Sequence, residues 1–156
     1  MKSSTSVLIL DNIRSVENTA SIFRTADGFK VSKIFLVGTT PTPLDRFGRK
    51  RGDFAKVSLG AEDMVNWEYH KEIGPVIKDL KDQQFQIIAL EQTPDSKDLK
   101  SLTKPNLYAV IVGNEVLGVS KEALEASDVV AEIPMLGHKE SLNVSVAAGV
   151  ALFVLS

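Results

Sequence analysis

No cysteine occurs in the 156 residues, so disulfides and thiolate metal sites are excluded. The two histidines, His70 and His138, cannot build a zinc centre alone, and no metal is expected. Long hydrophobic runs are missing as well. The N-terminal Met1-Lys-Ser-Ser-Thr-Ser6 carries none, which speaks against a signal peptide. The most apolar segment, at the C-terminus, is about thirteen residues long and too short to span a bilayer. A cytoplasmic protein with no membrane partner is therefore expected. An excess of positive charge is also absent, since the net charge is −2. Nucleic-acid binders are often basic, so any affinity for RNA must come from a local patch. There is no internal repeat and no low-complexity segment. What remains is an ordinary globular balance of 44% hydrophobic and 24% charged residues. The length suits one domain with a real core, spanning residues 1–156.

Five short apolar runs read as strands: 7–10, 33–37, 86–90, 108–112 and 129–133. Between them fall helical patterns. Ser15 is a plausible N-cap for a helix to Asp27, with Val16, Ala20, Phe23 and Ala26 near one face and Gly28 at its end. Residues 74–84 form a second helix, with Pro75 at its start. Residues 120–126 form a short third, and the apolar C-terminal segment a fourth. Residues 39–53 read as a long connection, and 91–105 as a loop with a helical turn near Leu99. Strands that are continuously apolar and alternate with helices indicate a parallel sheet covered on both faces, an α/β fold. Ligands of such sheets bind beyond the carboxyl ends of the strands. The loops after Leu90, Val112 and Ile133 are the first places to look.

Several constellations stand near those ends. Ser141 and Asn143 precede a helix that is apolar nearly all the way round, and such a helix must be buried on all sides. Both are residues that cap helix starts, and that end also suits a polar ligand. Gly113 and Gly118 have the spacing of a phosphate loop, but Val119 stands where lysine is required, and no G-x-G-x-x-G occurs. On spacing alone, 113–120 is a tight turn between strand and helix, and Glu115 a solvated acid. Arg24, taken alone, is a surface cation or an ion-pair partner. Arg46-Phe-Gly-Arg49-Lys50-Arg51 is the one dense basic run. It could grip phosphates while Phe47 stacks on a base. Asp45 and Asp53 flank it, so a merely solvated loop is an equal alternative.

Three segments, in order, resemble the motifs of the SpoU (TrmH) family of RNA ribose 2′-O-methyltransferases, members of the SPOUT class. Asn18-Thr-Ala-Ser-Ile-Phe-Arg24-Thr-Ala-Asp looks like the first. Val112-Gly113-Asn114-Glu115-Val-Leu-Gly118-Val-Ser120 looks like the second. Ile133-Pro-Met-Leu-Gly with Ser141-Leu-Asn143-Val-Ser-Val-Ala looks like the third. One departure is Ala20, where many members carry glycine.

The resemblance implies a SPOUT fold whose C-terminal segment is threaded as a deep trefoil knot, working as a homodimer. It implies methyl transfer from S-adenosylmethionine to a ribose 2′-hydroxyl, with tRNA favoured over rRNA as partner. Arg24 would be the catalytic arginine, assisted by Asn18, Glu115, Ser141 and Asn143. Gly113 would let backbone approach S-adenosylmethionine, and Leu90, Ile133 and Leu142 would bracket its adenine. Arg46, Arg49, Lys50 and Arg51 would contact RNA. A non-catalytic RNA-binding or cofactor-binding module on the same fold is the other class of answer. The joint presence of Asn18, Arg24, Glu115, Ser141 and Asn143 argues against it.

Overall fold

The computed structural model describes residues 3–156. The first half of the chain runs β1 (Thr5–Asp11), α1 (Val16–Gly28), β2 (Lys33–Val37), α2 (Gly52–Ser58), α3 (Ala61–Met64), β3 (Trp67–His70) and α4 (Ile73–Asp82). The second half runs β4 (Gln86–Leu90), β5 (Lys97–Asp98), a 3₁₀ turn (Leu99–Ser101), β6 (Leu107–Gly113), α5 (Lys121–Ala126), β7 (Val129–Glu132) and α6 (Val144–Leu155). All strands join one sheet in the order β3-β2-β1-β6-β4-β7-β5. Every pairing is parallel. Each loop that leaves a strand therefore lies on the same edge of the sheet.

Side chains alternate across a strand, and here both faces are apolar because each meets its own core. Leu8 and Leu10 of β1, with Val110 and Val112 of β6, enter a core beneath α1, α2 and α6. Val7, Ile9, Ala109 and Ile111 enter the other, beneath α4 and α5. This is why these strands read as unbroken hydrophobic runs.

The sequence pattern located five strands and missed two. β3 is an edge strand with two exposed residues in four, so it lacks an apolar run. β5 is two residues long and polar. The connection read as running to Asp53 ends earlier, at Gly52, where α2 begins. That helix is held by Phe54, fully buried and edge-on to Phe23 with ring centroids 5.2 Å apart.

The helix starts follow local chemistry. Ser15 caps α1 by accepting from the Asn18 N–H, and Asn143 caps α6 by accepting from the Ser145 N–H. Within one chain α6 is not buried on all sides. Ala148, Ala151, Leu152 and Leu155 face the core, but Val146 is 52% exposed and Phe153 is 71% exposed. α1 and the sheet cover one side of the helix only. No helix of the described residues is long and apolar enough to cross a membrane.

Candidate active site

The loops after β4, β6 and β7 and the start of α6 enclose one cavity of about 780 Å³ at the carboxyl edge of the sheet. Eight residues singled out in the sequence line it: Asn18, Leu90, Gly113, Glu115, Ile133, Ser141, Leu142 and Asn143. They come from four separate segments, and parallel strands bring them to a common edge. The walls include the apolar side chains of Leu90, Ile133, Leu142, Val144 and Ala147. The charged residues of the lining are Glu91, Glu115 and Glu132, with no lysine or arginine among them.

A chain of hydrogen bonds ties the three motif-bearing segments together. Glu115 accepts from the backbone N–H groups of Arg14 and Ser15, both at 2.9 Å, and from the Asn18 amide at 3.1 Å. The Asn143 amide donates to the Asn18 carbonyl oxygen at 3.1 Å. Asn143 in turn accepts from Ser145 N–H at 2.9 Å while capping α6. Each amide thus has its orientation fixed by a donor on one side and an acceptor on the other. Partial burial alone would raise the Glu115 pKa. The Arg14 and Ser15 N–H groups and the Asn18 amide outweigh it and hold the carboxyl below its ordinary value. Glu115 is accordingly a fixed anion at neutral pH. Ser141 is exposed at the rim of the cavity.

Two further carboxylates, not singled out in the sequence, shape the loop between β6 and α5. Asp11, 1% exposed at the end of β1, accepts from the Ser120 N–H at 2.8 Å. Glu91, just past β4, accepts from the Val119 N–H at 2.9 Å. Both partners are distant in sequence, so no local spacing announces them. The only hint was an acid at the close of each apolar strand.

The loop closes on itself through the Asn114 and Gly118 backbones, at 3.0 and 2.8 Å. This closure makes Gly113 indispensable: a Cβ there would overlap the Gly118 carbonyl carbon and the Val119 nitrogen. Backbone cannot yield as a flexible side chain can. Gly113→Ala should therefore push the loop into the cavity while both cores stay intact. At a strain of about 1–3 kcal/mol, affinity for a cavity ligand should fall by about five- to 150-fold. Calorimetric titration alongside thermal melting checks this.

Arg24 is not brought to the cavity. Six residues beyond Asn18, it lies about 9 Å further along α1 and about 120° round its axis. Its side chain is exposed and has no hydrogen bond or ion pair among the described residues. The basic run is also apart from the cavity, in the loop between β2 and α2. Asp45 organises that loop, accepting from the N–H groups of Phe47 and Arg49 and pairing with the Arg49 guanidinium. Lys50 pairs with Asp63 and Arg51 with Asp53. Arg46 and Arg49 lie over the Phe47 ring, 4.8 and 5.0 Å from its centroid. The cations are thus largely matched by carboxylates in this state. The pairs are exposed, however, and such pairs are weak enough for phosphate to displace.

Comparison with known proteins follows the same lines. Residues 5–153 match the model of the SpoU rRNA Methylase family. The tRNA (guanosine(18)-2′-O)-methyltransferase of Thermus thermophilus is 35% identical over 149 residues, covering 94% of this chain and 71% of that enzyme. The 23S rRNA (guanosine-2′-O-)-methyltransferase RlmB of Nitrosomonas europaea is 33% identical, covering 94% of this chain and 54% of its own length. Among solved structures, the A. aeolicus TrmH/SpoU tRNA modifying enzyme superposes with a TM-score of 0.85 at 26% identity. It covers 99% of this chain, which spans 75% of that one. The AdoMet-bound rRNA methyltransferase from Sinorhizobium meliloti gives 0.83 at 25% identity, covering 98% of this chain and 56% of its own.

Proposed function

Since the chain belongs to the SpoU rRNA methylase family, we propose that the RNA whose ribose 2′-hydroxyl it methylates is a tRNA. The alternative substrate is rRNA. The chain is an RNA 2′-O-methyltransferase, and its methyl donor is S-adenosylmethionine. One observation carries the reading. The three motif-bearing segments converge on a single cavity whose only charged side chains are carboxylates.

That cavity fits the donor. A sulfonium and an ammonium favour carboxylate surroundings, which Glu91, Glu115 and Glu132 supply. Leu90, Ile133 and Leu142 offer the apolar slot an adenine ring needs. When bound, S-adenosylmethionine supplies a methyl group already activated on sulfur.

The protein is left to position the 2′-hydroxyl and stabilise the charge it develops. Arg24 is assigned that task. A guanidinium stays protonated, so it clamps a phosphate and holds negative charge on oxygen rather than acting as a base. Asn18 orients the ribose. Glu115 and Asn143 act through it as positioning residues, because their hydrogen bonds fix its amide. Ser141 borders the ligand from the rim.

Arg24 reaches the reaction from a second copy of the chain. The exposed apolar face of α6, with Val146 and Phe153, supports a homodimer built on that face. The C-terminal segment is threaded as a deep trefoil knot. This is supported by the placement of β7 between β4 and β5, and by the bond from the Gln92 amide to the Glu140 carbonyl at 2.8 Å. Residues 1–156 work as one catalytic domain in the cytoplasm.

Mapping ribose methylation across RNA from cells with and without this protein tests the function. Loss of one methylated tRNA nucleotide is expected. Loss of an rRNA site instead would select the alternative, and no lost site would overturn both.

The basic loop is assigned to RNA capture. Neutralising Arg46, Arg49, Lys50 and Arg51 together should weaken RNA binding and flatten its salt dependence by about one unit for each phosphate the loop no longer grips. Affinity for S-adenosylhomocysteine should not change. Anisotropy titrations over a range of KCl concentrations, beside calorimetry, measure the two effects separately. An unchanged slope would leave the loop a solvated connection.

A further inference from the structure

The loop 114–119 has a second side. Opposite the cavity described above it borders another, of about 700 Å³, lined also by Asn12, Arg14, Thr39, Ser120 and Lys121. The two cavities share Asn114, Leu117, Gly118 and Val119 as a common wall. Their charges are opposite. The first has three carboxylates and no cation, whereas the second has two cations and no carboxylate in its lining.

The cations of the second cavity are available. The Arg14 side chain is exposed and without an ion pair among the described residues, because only its backbone N–H is engaged, by Glu115. Lys121 is 89% exposed and lies 3.9 Å from Glu125, a loose pairing. The amide of Asn12 is already committed. It accepts from the Thr39 N–H at 3.1 Å and donates to Asp11 at 3.1 Å. It therefore serves as a rigid floor. Leu117, 86% exposed, stands at the rim of the shared wall.

We propose that this second cavity is an RNA subsite that holds a nucleotide neighbouring the methylated one, with Arg14 and Lys121 on its phosphate and Leu117 against its base. This rests on the RNA methyltransferase reading. A polyanionic chain must approach a site whose own lining is acidic, and Glu91, Glu115 and Glu132 repel its phosphates. Cations one loop away offset that repulsion and hold the strand across the wall. Arginine suits bidentate pairing with phosphate and lysine acts as a point charge. An apolar side chain at the rim suits the face of a base. The same phosphate chemistry is found in a free mononucleotide, so the test separates the two sources.

The probe is a fluorescently labelled total tRNA fraction, titrated with wild type and with R14Q/K121Q by anisotropy at several KCl concentrations. Both side chains are exposed, so folding should be unaffected, and K121Q alone serves as a second variant. Wild type should bind with a steep salt dependence. The double variant should bind at least tenfold more weakly at low salt, with the slope reduced by about one to two units, and K121Q should fall between. In methyl transfer KM for RNA should rise, while kcat and the affinity for S-adenosylhomocysteine stay within about twofold. An unchanged slope and KM in the double variant would overturn the proposal. So would calorimetry in which guanosine monophosphate binds wild type but not the variant while tRNA binding is equal. Failure of wild type itself to bind RNA would instead overturn the underlying substrate reading.

Discussion

Arg24→Ala will lose methyl transfer by about two to three orders of magnitude, the usual cost of removing a group that stabilises developing charge. It will bind S-adenosylhomocysteine as wild type does and melt at the same temperature. The second half of this expectation comes from the structure. The Arg24 side chain is exposed, makes no hydrogen bond or ion pair among the described residues and lines no part of the cavity at the carboxyl edge of the sheet. Its loss therefore leaves no buried group unpaired. The same geometry dictates a sharper experiment. If Arg24 acts across a dimer, an active site consists of one subunit's cavity and the other's arginine. Arg24→Ala, nearly inactive, and Gly113→Ala, assayed at a donor concentration too low to fill its weakened cavity, should then restore activity when co-refolded. Each mixed dimer holds one complete site, formed by the cavity of the first variant and the arginine of the second. Absence of recovery, with mixed dimers verified by differential tagging, would place Arg24 and the cavity in the same subunit or remove Arg24 from the reaction.

The legible part of this protein was the part with local causes. β1 and β6 are continuous apolar runs because each feeds two cores, and Ser15 and Asn143 cap helices whose first turns they adjoin. The cavity was foreseeable for the same reason: parallel strands deliver every following loop to one edge. The rest depends on residues far apart in sequence. Asp11 holds Ser120 across 109 positions, and Glu91 holds Val119 across 28. Neither pairing has a spacing signature. α2 begins with glycine and aspartate and survives because Phe54 packs on Phe23. The basic run is legible in composition, but Asp63, which pairs with Lys50, lies thirteen residues beyond it, outside any local motif. Even Gly113 has a reason that no motif spells out, since the space its side chain would fill is taken by the protein's own backbone.

Phe153→Glu will turn the proposed dimer into a monomer and abolish methyl transfer. α6 offers Val146 and Phe153 to solvent at 52% and 71% exposure, beside Phe29, whose ring lies edge-on to Phe153 with centroids 6.5 Å apart. An apolar helix face that its own chain leaves open is suited to a self-complementary interface, and a two-fold dimer is the commonest way to form one. A carboxylate at its centre would appear twice and lose its water without gaining a cation. Unpaired charges buried in interfaces cost several kcal/mol, so the dissociation constant should rise by at least about two orders of magnitude. Within one chain the substitution is benign, because Phe153 is 71% exposed and its ring lies edge-on to that of Phe29 at the surface. The variant should therefore keep its circular dichroism spectrum and elute as a folded monomer. Activity should vanish nonetheless, because no second copy delivers Arg24. Multi-angle light scattering with a methyl-transfer assay decides the matter. A folded Phe153→Glu monomer with wild-type activity would refute the shared site, and a wild type that is itself an active 17 kDa monomer would refute the dimer with it.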